Sequence, residues 1–203
     1  MILSTRNRHK LREMGELLPG VELRRLPDEV ELPPEDGDSF AANALIKARA
    51  ARAATGAVVI ADDSGIEAEA LGGAPGIYSA RYAGEGAGDE VNLAKLLADV
   101  DAAAGSRRAA YFCALALIDE AGEEHVFEAR CEGSLLEQGR GEGGFGYDPA
   151  FVPDETGSED LRTYSELSNA EKHAISHRGK AVRKLAAHLG LDAAAATSAE
   201  GSP

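Results

Sequence analysis

VVIADDSG, residues 58–65, is the stretch on which the reading of the fold turns. Four apolar residues, Val58 to Ala61, predict a short buried strand. Asp62, Asp63, Ser64 and Gly65 are turn-forming types, so the strand is expected to end there. In open α/β sheets, ligands bind beyond the carboxyl ends of strands. Neighbouring carboxylates at such an end point in different directions. One suits a hard divalent cation such as Mg²⁺, and the other can orient water or a neighbouring group.

On the N-terminal side lies an alanine-rich segment, 39–55, expected to be a helix capped by Asp38 or Ser39 and followed by Gly56. Before it runs an acidic, proline-rich loop, 27–38, with Glu29, Glu31, Glu35, Asp36 and Asp38. A second metal carboxylate is expected from this loop, and spacing does not say which. Residues 21–26 alternate apolar and polar and predict a strand. Leu11, Met14, Leu17 and Leu18 recur at helical spacing over 7–18, and Pro19-Gly20 ends that helix. Ile2-Leu3 reads as the end of a buried strand.

On the C-terminal side come a glycine-rich loop, 71–88, and a helix near 89–100. Residues 108–119 and 125–132 predict two strands of a hairpin turning at Ala121-Gly122. A second glycine-rich loop, 139–148, precedes a short strand at Phe151-Val152. Ser168 and Glu171 fit a capping box, and Ser176 can cap a further helix carrying Val182, Leu185, Ala186 and Leu189. Residues 192–203 read as a disordered tail. Alternating strands and helices followed by a hairpin give an α/β, or mixed α+β, domain over 1–191 with a mixed sheet.

The chain has 203 residues, 21 Lys+Arg against 35 Asp+Glu, and a formal net charge of -14. That balance excludes a nonspecific grip on nucleic acid or anionic membrane, because the mean field repels phosphate. The charge is uneven. Arg6, Arg8, Lys10 and Arg12 fall in 4–12 with no acid, and Lys172, Arg178, Lys180, Arg183 and Lys184 fall in 171–184 with one. The two cysteines, Cys113 and Cys131, show no metal spacing and imply reduced thiols in a cytoplasmic protein. The opening residues lack a signal-peptide core, and the longest apolar run, 109–118, is about half a membrane span.

Further constellations point to a phosphate ligand and a flat ring. Ser4, Thr5, Arg6, Asn7, Arg8, His9 and Lys10 join a strand end to a helix start, where free N–H groups, hydroxyls and a lysine suit phosphate. They lack the P-loop form. In 143–148, glycines flank Phe145 and leave its ring open to stack on a base, while Asp148 can accept from a base N–H. Lys172, Ser176, His177 and Arg178 supply donors for carbonyl or phosphate oxygens.

Taken in order, these motifs resemble the inosine triphosphate pyrophosphatase family, or dITP/XTP pyrophosphatases. The resemblance rests on ST-x-N-x-x-K at 4–10, N-A-x-x-K-A at 43–48, ADDSG at 61–65 and LGGAPGIYSARYAG at 71–84. GGFGYDP at 143–149 and E-K-x-A-I-S-H-R-G at 171–179 complete it, covering about residues 2–189. It implies an elongated mixed sheet in two lobes with an active-site cleft, a homodimer, and Mg²⁺-dependent hydrolysis of ITP, dITP and XTP to monophosphate and pyrophosphate. Water would attack the α-phosphorus, with Asp63 as base and Lys10 and Lys47 as catalytic cations. Metal ligands map to Glu35 and Asp63, with Asp62 a further candidate. Phosphate contacts map to Thr5, Asn7, Lys10 and Ser64. Base and further nucleotide contacts map to Phe145, Gly146, Tyr147, Asp148, Lys172, His177 and Arg178. Two departures stand out: Ala42 replaces a common family glutamate, and Arg6 stands where relatives often carry glycine. The alternatives are an enzyme for other modified nucleotides and a non-catalytic nucleotide-binding protein.

Overall fold

A computed structural model describes residues 1–191; the tail expected at 192–203 lies outside the described residues. Six strands form one mixed sheet in the order β2-β1-β3-β4-β5-β6. They are β1 (Ile2–Ser4), β2 (Arg24–Arg25), β3 (Val59–Ala68), β4 (Arg108–Ile118), β5 (Glu124–Leu135) and β6 (Phe151–Pro153). β1 pairs in parallel with β2 and β3, whereas β5 and β6 pair antiparallel. The helices are α1 (Arg8–Leu17), α2 (Phe40–Thr55), α3 (Asp89–Ala103), α4 (Asn169–Ile175) and α5 (His177–His188). The α/β class expected from the alternation of elements is the one observed. None of the described helices is long and apolar enough to cross a membrane.

The helix ends follow from their capping residues. Asn7 Oδ1 accepts from the His9 and Lys10 N–H groups at the start of α1. Ser39 caps α2 by accepting from the Ala42 N–H, and Gly56 ends it in the left-handed region at φ 66°. Ser168 and Glu171 form the full reciprocal capping box of α4. A cap of this kind is worth about 1 kcal/mol. In α2 the buried positions are Phe40, Asn43, Ala44, Lys47, Ala48 and Ala51, a helical stripe in which one lysine sits among small side chains.

Two expectations change. The strand at 58–61 does not stop at the acids, because β3 runs to Ala68. Asp62 and Asp63 are compensated in place by cations, so their charge need not leave the strand to reach water. Gly65 is required by close approach rather than by a turn: a Cβ there would fall 2.4 Å from Ser79 Oγ and 2.6 Å from the Gly76 carbonyl oxygen. The strand expected over 21–26 shrinks to the two exposed residues of β2, where Arg24 N–H reaches the Met1 carbonyl.

The chain falls into two compact units. The first holds 1–63, 114–128 and the C-terminal part from Arg178; the second holds 64–113 and 129–177. The core of the second gathers Ile66, Leu96, Val100, Tyr111, Tyr147, Phe151 and Tyr164. Both cysteines are buried, and neither forms a disulfide among the described residues.

Candidate functional site

In the first unit, α2 delivers Lys47 to the acids of β3. Its Nζ lies 2.8 Å from Glu35 Oε1 and 3.3 Å from Asp63 Oδ1. Burial alone would lower the Lys47 pKa, but Asp63 and then Glu35 outweigh it and hold the amine protonated. Asp63 goes the other way. Burial raises its pKa, Lys47 and Lys10 oppose that, and Glu35 and Asp62 add like-charge repulsion. The second carboxylate oxygen, Asp63 Oδ2, is buried and has no hydrogen-bond partner. An orphaned buried carboxylate oxygen beside a second carboxylate, Glu35, is a donor set that fits a hard divalent cation.

Asp62 has a different environment. Lys10 Nζ pairs with its Oδ1, and Arg178 Nε donates to its Oδ2 at 3.3 Å. Its side chain is fully buried. Burial would raise its pKa, but the charges of Lys10 and Arg178 hold it far below the usual carboxylate range. Arg178 Nη1 donates to Glu13, itself buried in α1. Arg178 therefore serves two carboxylates of this unit, Asp62 and Glu13.

The phosphate-suited segment is partly committed within the protein. Ser4 Oγ is buried and donates to the Lys47 carbonyl at 3.2 Å. Asn7 holds the His9 and Lys10 N–H groups, and its own N–H donates to Thr5 Oγ1. Arg6 turns to the acidic loop, donating to the carbonyls of Leu26, Pro27 and Val30 and pairing with Asp28. Arg8 and His9 are exposed on α1, and Ser64 is partly exposed in the second unit.

In the second unit, Asp148 is the centre. It is 2% exposed. Its Oδ2 accepts from Lys172 Nζ at 2.7 Å and from the Phe145 N–H at 2.8 Å, and its Oδ1 accepts from the Tyr111 hydroxyl at 3.1 Å. Gly144 makes room for this: it sits at φ 73°, and a Cβ there would fall 2.2 Å from Asp148 Oδ2. Lys172 Nζ also lies 5.2 Å from the Phe145 ring centroid. Gly146 N–H donates to Asp89 Oδ2, and the Tyr147 hydroxyl donates to the Ser79 carbonyl. Burial pushes the Tyr147 hydroxyl pKa up. His177 is buried with its ring stacked on Tyr111, centroids 4.5 Å apart and planes within 4°. A half-buried aromatic, a buried acceptor, a lysine and an imidazole form a set suited to a heterocycle with both N–H and carbonyl edges.

The structure thus groups Asp63, Glu35 and Lys47, groups Asp62, Lys10 and Arg178, and groups Phe145, Asp148, Lys172 and His177. Three members of these networks escaped the motif reading: Glu13, Tyr111 and Tyr164, whose ring centroid lies 5.6 Å from Lys172 Nζ. Tyr111 lies in an apolar run and reads as core. The one available signal was that a buried phenol needs a hydrogen-bond partner.

The family model described as the Ham1 family matches residues 1–188. The dITP/XTP pyrophosphatase of Geobacter sulfurreducens is 44% identical over 94% of this chain and 96% of its own. That of Frankia alni is 47% identical over 93% and 96%. Among solved structures, a HAM1 protein from Coxiella burnetii superposes with a TM-score of 0.83 at 39% identity, covering 93% of this chain and 97% of that one. A nucleoside-triphosphatase (dITP/XTP pyrophosphatase) from Mycobacterium abscessus gives 0.72 at 45% identity, over 94% and 98%. With the motifs, the six-stranded mixed sheet and matches across nearly the whole length in agreement, the chain belongs to the Ham1 family.

Proposed function

We propose that this protein hydrolyses nonstandard purine nucleoside triphosphates, ITP, dITP and XTP, to the monophosphate and pyrophosphate, with residues 1–191 as the catalytic domain. The observation that carries the reading is Asp63, a buried carboxylate with one oxygen on Lys47 and the other without a partner. A base of this kind accepts a proton from the water that attacks the α-phosphorus. A new P–O bond forms, the bond to the bridging oxygen breaks, and pyrophosphate leaves. Burial and neighbouring acids raise the affinity of Asp63 for that proton.

Glu35 and Asp63 are the residues we assign to the metal, with Mg²⁺ the cation of choice for carboxylate and phosphate oxygens. When bound, it would neutralise charge building on the phosphate oxygens. Lys47 and Lys10 add positive charge from this chain, and Lys47 also keeps Glu35 and Asp63 from repelling each other. Asp62 serves Lys10 and Arg178 as counter-ion and fixes where both cations sit. Thr5, Asn7 and Ser64 are the further phosphate contacts in this reading.

For the base, Phe145 offers a stacking face, Asp148 accepts from a ring N–H, and Lys172 and His177 donate to the 6-oxo group. Adenine presents an amino donor at that position and would leave buried donors unpaired, a mismatch worth several orders of magnitude in kcat/KM. The net charge of -14 fits an enzyme of free nucleotides rather than of polymers. A cytoplasmic homodimer completes the proposal. Pyrophosphate release with Mg²⁺ should be far faster on ITP and XTP than on ATP. Equal turnover of ATP, or release of orthophosphate in place of pyrophosphate, overturns it.

A further inference from the structure

The second unit contains a residue that no motif marks and that touches both proposed base-reading groups. Tyr111 sits on β4, and its residue is 7% exposed. Its hydroxyl donates to Asp148 Oδ1 at 3.1 Å. Its ring stacks on His177 at 4.5 Å, the two planes nearly parallel. Phe151 packs edge-on at 4.9 Å, and Tyr164 stacks at 5.6 Å. The phenol is therefore held on several sides and has little freedom of its own.

We infer that Tyr111 is a positioning residue for base selection, locking the Asp148 carboxylate and the His177 imidazole in one mutual orientation. The inference rests on the function proposed above. Lys172 and the Phe145 N–H both act on Asp148 Oδ2. Those two donors fix the carboxylate at one oxygen only. Tyr111 supplies the donor that fixes Oδ1, and an ionised carboxylate can only accept, so the phenol must be protonated. Burial and the adjacent Asp148 keep its pKa far above neutrality, so the donor persists across the working pH range. The same ring provides a flat bed for His177. One rigid side chain thus ties the acceptor for a ring N–H to a donor for a ring carbonyl, the two features that distinguish a 6-oxopurine from adenine. Preorganisation of this kind acts on binding and selectivity rather than on the bond-breaking step.

Two variants test it. Tyr111→Phe keeps the ring and removes the donor to Oδ1; Tyr111→Leu removes both. Steady-state kinetics on ITP and ATP should show, for Tyr111→Phe, KM for ITP raised about tenfold, kcat within about twofold, and the ITP-to-ATP ratio of kcat/KM lowered about tenfold. A KM and selectivity ratio unchanged in Tyr111→Phe overturns the inference. So does a lowered kcat with KM and selectivity intact, which marks a general structural defect. The His177 ring protons, read by NMR without substrate, give an independent measure. They should carry a ring-current shift that Tyr111→Phe preserves and Tyr111→Leu largely removes, with Tyr164 at 6.5 Å leaving a small remainder; its absence in the unmodified protein overturns the stacked arrangement. Should the unmodified protein fail to turn over ITP, the proposed function falls by itself, and the NMR arm still judges whether Tyr111 positions His177.

Discussion

Asp63 and Asp148 are both buried aspartates, each beside a lysine, and they are supplied very differently. Asp148 has three donors on two oxygens, all at 3.1 Å or less. Asp63 has one donor at 3.3 Å and an oxygen with no partner. A carboxylate with three of its roughly four acceptor sites filled is held in place and keeps the last as a fixed acceptor. An undersupplied one keeps lone pairs for something that is not part of the chain, and its pKa rises instead of falling. The difference separates a group that positions from a group that reacts.

Exchanging each for its amide breaks the comparison in opposite ways. Asp63→Asn should lower turnover of ITP by about 10²–10⁴, the range for loss of a general base, while its melting temperature stays near that of the unmodified protein. Lys47 keeps Glu35 as a partner in that variant. Turnover within tenfold of normal removes Asp63 from the chemistry. Asp148→Asn should instead cost about 3 kcal/mol of stability, because the buried Lys172 loses the charge of this ion pair. Chemical denaturation measures this, and a loss confined to activity would show that Asp148 does not hold this part of the fold.

The smallest effect concerns an exposed carboxylate that is also well supplied. The Ser168 hydroxyl and then Arg162 lower the Glu171 pKa from 4.5 to about 2. A lowered folded-state pKa means the capping contribution is complete above about pH 4.5 and fades as pH falls towards 2. Glu171→Ala should therefore melt slightly earlier than the unmodified protein at pH 7, and the gap should close between pH 4.5 and 2. A gap independent of pH would assign the effect to helix propensity rather than to the box.

The local parts of the molecule were legible in the sequence because their causes are local. Asn7, Ser39, Ser168 and Gly56 mark helix ends within four residues of the groups they satisfy. The course of β3 was not legible, because Asp62 is neutralised by cations from distant elements, Lys10 of α1 and Arg178, the latter 116 positions away. Glu13 escaped for the same reason: an acid on an otherwise apolar helix face makes sense only once Arg178 is beside it. The motif residues themselves were legible as chemistry, and the resemblance supplied their roles. Arg6 and Arg178 show the remaining gap, since a guanidinium placed by motif near a ligand can be occupied by carbonyls and carboxylates of its own chain.

Arg6 has a consequence for how the acidic loop costs so little order. Pro27, Pro33 and Pro34 have no N–H, so this segment is rich in acceptors and poor in donors, and no ladder can form along it. One guanidinium stands in for the missing ladder by gathering the carbonyls of Leu26, Pro27 and Val30. At the other end, the Gly37 N–H is moored to Asn43 Oδ1. The span between these moorings, 31–36, is short, with Glu35 near its end, and a short closed loop loses little entropy when it is ordered. The acid that reaches Lys47 is thus delivered on a tether fastened at both ends, by a residue whose charge alone would have suggested a different task.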